Sequence, residues 1–161
     1  MNEFIPVNEP LLNGNEKDYL VECIDSGWIS SEGPFVKRFE TNFSEYIGRN
    51  YAVSVSNGTA AIDLAIAALD LKEGDEVIMP DFTIISCINQ IIRAKIKPVL
   101  IDCDKYNFNM NVHDIESKIT KNTKAIMVVH IYGLPVEMNE VLKIAKKYNL
   151  KIIEDAAEVH G

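Results

Sequence analysis

At 161 residues, 47% hydrophobic and 25% charged, the chain has the balance of an ordinary folded protein, and it is long enough to bury a core without disulfides or metals. Sixteen Lys and Arg against 24 Asp and Glu leave a net charge of −8, which speaks against a nucleic-acid partner but leaves room for an anionic small molecule held by backbone dipoles. Cys23, Cys87 and Cys103 form no CxxC or CxxH spacing, residues 1–10 lack the basic and apolar regions of a signal peptide, and no apolar run reaches the roughly 18 residues of a membrane span; the expected setting is the reducing cytoplasm, with no membrane partner.

In chain order, Asn15 can cap a helix running to about Ser26, and Pro34 can open a second one running to about Ile47. Between them lies SGWISSEG, a Ser- and Gly-rich loop with the only Trp. Residues 51–55 are a short β-branched run, expected as a strand. Over residues 59–69, Ile62, Ala65, Ile66 and Leu69 recur at helical spacing and predict one buried face. Glu73-Gly74-Asp75 reads as a turn, and residues 76–79 as a strand stopped by Pro80. Residues 84–94 read as a helix, and 98–101 and 125–129 as strands. Residues 136–148 form an amphipathic pattern, with Val141, Leu142 and Ala145 expected inward and Lys143, Lys146 and Lys147 outward. Residues 151–153 are a last short strand before Glu154-Asp155. Strands about 22–26 residues apart with helices between them predict βαβ units, hence an α/β fold with a mainly parallel sheet. The chain stops just after a strand, where such a sheet is expected to continue, so the expectation is an N-terminal portion.

Four segments at strand ends carry candidate chemistry. In Ser56-Asn57-Gly58-Thr59-Ala60-Ala61 a glycine lets backbone approach a ligand. The amides of Thr59 and Ala60 at the helix N-terminus, with the Thr59 hydroxyl, can hold an anion. A plain capped helix start reads the same way, and neither a Walker loop nor a GxGxxG fingerprint is present. Glu154-Asp155-Ala156-Ala157-Glu158-Val159-His160-Gly161 follows a strand, where carboxylates of parallel sheets face the ligand crevice. A carboxylate facing a protonated ring nitrogen keeps it charged, as an electron-sink cofactor requires, and the flanking alanines leave room for a flat ring. A solvated loop or a helix cap is the alternative. In Pro80-Asp81-Phe82-Thr83-Ile84, an apolar residue can cover one ring face while Ala157 meets the other, or it can simply be core. His130, in His130-Ile131-Tyr132-Gly133, is expected to be hydrogen-bonded structure rather than a base. His113 is expected to be exposed, and no spacing supports a metal site. Together these segments place an anion cradle, a ring-facing carboxylate and ring-covering residues on one sheet edge, the layout of a pyridoxal-phosphate site.

The segments SGWISSEGPFVKRFE, VSNGTAAIDLA, GDEVIMPDFT, VVHIYG and IIEDAAEVHG, collinear over nearly the whole chain, resemble the DegT/DnrJ/EryC1/StrS family of sugar-nucleotide aminotransferases, its perosamine-forming members most. The resemblance implies a type I aminotransferase-like large domain, mainly parallel with flanking helices and here incomplete. On that reading residues 1–48 are N-terminal helical segments with a substrate-side loop, and 49–161 are the first part of the pyridoxal-phosphate domain. It also implies transfer of an amino group, usually from glutamate, to a 4-keto-6-deoxy sugar on a nucleotide diphosphate, in polysaccharide biosynthesis, by a homodimer with shared active sites. The phosphate would be held by Gly58 and Thr59, beside Asn57. Asp155 would pair with the pyridine nitrogen as the catalytic carboxylate, and Ala157 would pack on the ring. Glu158 takes the position that approaches the ring hydroxyl, where many relatives have Gln; a carboxylate there calls for a shared proton or a water. Ile84 stands where relatives often place a stacking aromatic, with Phe82 nearby as another cover. The family's Schiff-base lysine lies beyond the EDAA motif and no lysine here stands in a matching motif, so this chain alone is expected to be inactive. The alternatives are a lysine-lacking pyridoxal-phosphate sugar dehydratase, a non-catalytic protein of the same fold, and, less favoured, a nucleotide-binding α/β domain.

Overall fold

The computed structural model describes residues 4–6 and 9–160; the signal-peptide reading of residues 1–10 falls partly, and the Gly161 end of the EDAAEVHG segment wholly, outside them. The chain forms two compact units, Met1–Ser54 and Val55–Gly161, whereas the sequence division fell between residues 48 and 49, after the second helix.

The first unit carries α1 (Glu16–Ser26) and α2 (Pro34–Tyr46). Asn15 sits at the N-cap of α1, but its side chain bonds no helix amide and donates to the Tyr19 hydroxyl instead. The helix stops at Gly27, whose φ of +76° is the left-handed turn that favours glycine. Pro34 opens α2 in the first helical turn, where its missing N–H costs nothing. Arg38 joins the two helices by lying over the Tyr19 ring and donating to its hydroxyl. The Ser54 amide and hydroxyl both donate to Glu40, which lowers its carboxyl below the usual range.

The second unit is built around a sheet of β1 (Glu76–Pro80), β2 (Lys97–Ile101), β3 (Thr123–Val129) and β4 (Lys151–Asp155). All three neighbouring pairs are parallel, in the order β2-β1-β3-β4. The helices are α3 (Gly58–Ala68), α4 (Ile85–Arg93), the short α5 (Ile115–Lys118) and α6 (Met138–Tyr148). Side chains alternate across the pleat. Val77, Met79, Ala125, Met127 and Val129 meet Ile62 and Ile66 of α3 and Cys87 and Ile91 of α4 on one face. Ile78, Ile126 and Val128 meet Ile115 of α5 and Val141, Ile144 and Ala145 of α6 on the other. The sheet is therefore the middle of three layers, covered on both faces as a parallel sheet requires.

Two expectations change. Residues 51–55 take no place in the sheet, and Tyr51 and Val53 are exposed; β-branched composition favours a strand only where a partner supplies the ladder, and none of the four described strands pairs with them. On α6, Leu142 is exposed and Ile144 takes the inward place, because the buried face runs through positions 141, 144 and 145, and position 142 is rotated off it. His113 is exposed, as expected.

Candidate functional site

The strand order reverses direction between β1 and β3, because β1 connects outward to β2 while the chain then crosses to β3 on the other side. In open α/β sheets the ligand crevice forms beyond the carboxyl ends of the strands at such a switch. A cavity of about 340 Å³ lies there. It is walled by Phe82, Thr83 and Ile84 after β1, by Val129 to Tyr132 after β3, and by Asp155, Ala157 and Glu158 at the end of β4. Six of the residues singled out in the sequence, Phe82, Ile84, His130, Asp155, Ala157 and Glu158, thus share one pocket. Asn57, Gly58 and Thr59 do not line it; they form the N-terminus of α3.

Asp155 is half-buried, and both of its carboxylate oxygens are engaged. Oδ1 accepts the Ala157 N–H at 3.1 Å, and Oδ2 faces the Cys87 thiol at 3.7 Å. The Thr83 hydroxyl in turn donates to Cys87 Sγ at 3.6 Å. Burial pushes the Cys87 thiol above its ordinary pKa, and the nearby Asp155 charge adds to the rise. Glu158 is oriented differently, its Oε2 accepting the Tyr132 N–H at 2.6 Å. Tyr132 is in the left-handed region at φ +50° and Gly133 follows at φ +83°, so a strained turn after β3 is tied down by a carboxylate on another loop.

His130 is buried, and both ring nitrogens are used. Nδ1 accepts the Val136 N–H at 3.0 Å, and Nε2 lies 3.1 Å from Glu154 Oε1. With Nδ1 accepting, the ring proton is on Nε2 and is donated to Glu154. This is the structural histidine the sequence suggested, a tie between the ends of β3 and β4.

At the α3 N-terminus, Asn57 Oδ1 caps the helix by accepting the Ala60 N–H at 2.9 Å. That corrects one expectation: the Ala60 amide is not free for an anion, because the preceding side chain reaches it first. The Gly58 and Thr59 amides have no such partner among the described residues. A Cβ built on Gly58 would meet nothing within 4 Å, so the helix start is open on the side where a side chain would stand. Among the described residues Asp81, Asp102 and Cys103 each bring a possible ligand atom within 4.8 Å of the others; Asp102 already accepts the Cys103 N–H.

Thr83, Cys87 and Tyr132 were not picked out by sequence as site residues. The Thr83/Cys87 spacing of four across a helix start was the available signal for the first two; Tyr132 announced itself only as the neighbour of a glycine.

A doubly covered parallel sheet, with a carboxylate and apolar walls around a cavity at its switch point and a capped helix N-terminus, defines an α/β protein of the three-layer class. Residues 10–161 match the profile of the DegT/DnrJ/EryC1/StrS aminotransferase family, and the chain belongs to that family. A GDP-perosamine synthase of Escherichia coli O157:H7 is 48% identical over 159 residues, covering 99% of this chain and 44% of the synthase. Among solved structures, an E. coli GDP-4-keto-6-deoxy-D-mannose-3-dehydratase with bound hydrated PLP is similar at a TM-score of 0.86 and 29% identity, over 93% of this chain and 40% of that one. A variant GDP-4-keto-6-deoxymannose-3-dehydratase with bound GDP-perosamine reaches a TM-score of 0.90 at 30% identity, over 97% of this chain and 42% of that one. The chain thus spans less than half the length of the relatives it matches, and its fold is the aminotransferase-like α/β fold expected from the sequence.

Proposed function

We propose that the chain forms the ring-binding side of a pyridoxal-phosphate-dependent aminotransferase that moves an amino group, from glutamate, to a GDP-linked 4-keto-6-deoxy sugar. The observation that carries this reading is the convergence of Asp155, Ala157 and Ile84 in one apolar-walled cavity at the switch point. The residues present fit the cofactor: the cavity admits a flat ring between apolar side chains, a carboxylate stands at its edge, and the Gly58 and Thr59 amides at the start of α3 have no partner among the described residues.

When bound, pyridoxal phosphate supplies an electron sink for the pair released at the reacting carbon. Asp155 would keep the proton on the ring nitrogen, its charge favouring the protonated form. The Ala157 N–H orients that carboxylate through Oδ1. Ile84 and Ala157 would pack the ring faces and exclude water, which strengthens the Asp155 interaction by lowering the local dielectric. The Gly58 and Thr59 amides and the Thr59 hydroxyl would hold the phosphate, aided by the positive end of α3. Glu158 keeps the Tyr132 turn in place at the cavity wall.

The likeness to a GDP-perosamine synthase at 48% identity, against 30% for the dehydratase, favours amino transfer over dehydration. The reading includes a homodimer with shared active sites and a cytoplasmic setting; no described helix is long and apolar enough to cross a membrane. The test is to incubate the intact protein with pyridoxal phosphate, glutamate and GDP-4-keto-6-deoxymannose. GDP-perosamine formed mole for mole with 2-oxoglutarate is the expected result; a 3-deoxy sugar product would assign it to the dehydratases, and no product with any keto sugar would overturn the reading. Sedimentation of the same sample checks the dimer.

A further inference from the structure

Cys87 is fully buried and does not line the cavity, yet it touches two residues that do. It occupies the third position of α4, just beyond the β1 loop that supplies Thr83. The Thr83 hydroxyl donates to its sulfur at 3.6 Å and the thiol donates to Asp155 Oδ2 at 3.7 Å. From the other side, the Ala157 N–H fixes Oδ1 at 3.1 Å. We propose that Thr83 and Cys87 are positioning residues for Asp155, forming a hydroxyl–thiol–carboxylate relay that sets the plane in which the carboxylate meets a protonated ring nitrogen. The inference rests on the pyridoxal-phosphate reading above and adds to it the groups that aim its central charge.

Three physical points support the relay. A carboxylate at a strand end rotates about χ2 through a broad, two-fold well unless both oxygens are held, and here both are. The thiol remains an S–H donor, because burial disfavours the thiolate and Asp155 disfavours it further. A thiol is also a weak donor; it can orient Oδ2 while withdrawing little of the charge that the ring nitrogen needs, whereas a strong donor would compete for that charge. Cys87 is too buried to act as a nucleophile itself.

The experiment uses the intact protein loaded with pyridoxal phosphate labelled with 15N in the ring. The ring-nitrogen shift reports its protonation, the cofactor dissociation constant reports affinity, and urea unfolding of each variant reports packing. Cys87→Ala is expected to move the ring nitrogen toward its unprotonated shift and to weaken cofactor binding about threefold to tenfold, the range for losing one hydrogen bond to a charged group through a weak donor. Cys87→Ser, which restores a donor but a stronger one, is expected to recover the shift only in part, because its hydroxyl orients Oδ2 while competing for the charge. Thr83→Val keeps the shape, removes only the group that fixes the thiol, and should shift the nitrogen in the same direction by less; it carries the test if Cys87→Ala fails to fold. Unchanged nitrogen shifts in Thr83→Val and Cys87→Ala, with stability alone reduced, would show a packing role and overturn the relay. A wild-type nitrogen that is already unprotonated, with Asp155→Asn indistinguishable from it, would instead overturn the reading of the pocket, and the relay with it.

Discussion

Replacing Asp155 with Asn separates charge from shape at the proposed site. In the structure Oδ1 accepts the Ala157 N–H at 3.1 Å and Oδ2 lies 3.7 Å from Cys87 Sγ. An Asn side chain keeps the first acceptor and turns an N–H toward the sulfur, which can accept weakly, so the fold should lose less than about 1 kcal/mol. The loss in chemistry is larger. A carboxylate paired with a ring cation in a half-buried cavity contributes on the order of 3 kcal/mol where charge develops in the transition state, and 3 kcal/mol corresponds to roughly a hundredfold in rate. The assay is stopped-flow, single-turnover conversion of the bound cofactor to its amine form by glutamate, in intact protein at saturating pyridoxal phosphate. Wild type and Asp155→Asn should unfold at closely similar urea midpoints while their conversion rates differ by about two orders of magnitude. Equal rates in the two proteins would refute the assignment and leave Asp155 as a loop-ordering residue.

Thr59→Val should weaken pyridoxal-phosphate affinity by about 1–2 kcal/mol, the scale of one hydrogen bond to a charged group, in a fluorescence titration; unchanged affinity would place the phosphate elsewhere. Glu158→Gln keeps an acceptor for the Tyr132 N–H and should leave unfolding within about 0.5 kcal/mol of wild type, whereas Glu158→Ala should cost about 1 kcal/mol in urea melts, and equal effects would show that the contact is idle. At the far end of β1 the Lys97 ammonium, helped by the Thr120 hydroxyl, holds the Glu76 carboxyl below its ordinary value near 4.5. A depressed folded-state pKa contributes stability that is complete above the ordinary value and disappears as pH falls through the depressed one. Glu76→Gln should therefore lower stability at pH 7 by about 1–2 kcal/mol and flatten the acid loss seen in wild type, read from urea midpoints across the pH series.

Most of the sheet was legible because its signal is local. After Glu76 in β1 and after Lys124 in β3 the strands are unbroken apolar runs, as buried parallel strands tend to be, and Gly74 and Pro80 mark the ends of β1 closely. Where the outcome depended on partners distant in sequence, local pattern failed. Residues 51–55 have strand composition, but composition does not supply a neighbour. Leu142 and Ile144 are equally apolar, and only the direction in which α6 lies on the sheet decides between them. The site divides in the same way. Asp155, Ala157 and Ile84 were visible as residues at strand ends, and the parallel topology brought those ends together. The Cys87–Asp155 contact spans 68 residues and the Tyr132–Glu158 bond 26, so neither could be read from spacing. The Asn57 cap was readable as the capped-helix alternative, since Asn before a helix reaches the third amide beyond it.

The two carboxylates of the EDAAEVHG segment show how the fold gives similar groups separate work. Asp155 ends a strand, accepts from a thiol and an amide, and stands at the edge of the cavity. Glu158 lies three residues further on, where the chain has left the sheet, and commits Oε2 to the Tyr132 amide. That amide is presented only because Tyr132 is held at φ +50°, and the turn continues through Gly133, where a Cβ would come within 3.3 Å of the Glu158 carbonyl oxygen at an already strained φ of +83°. A Gln could make the same bond through its carbonyl; a carboxylate makes it as a charge-assisted bond, stronger by roughly a factor of two. Glu in this position therefore strengthens the tie to the turn. Within the proposed site, the ring would be held by its nitrogen at Asp155 and by its phosphate at α3, while Glu158 braces the wall between β3 and β4 through Oε2.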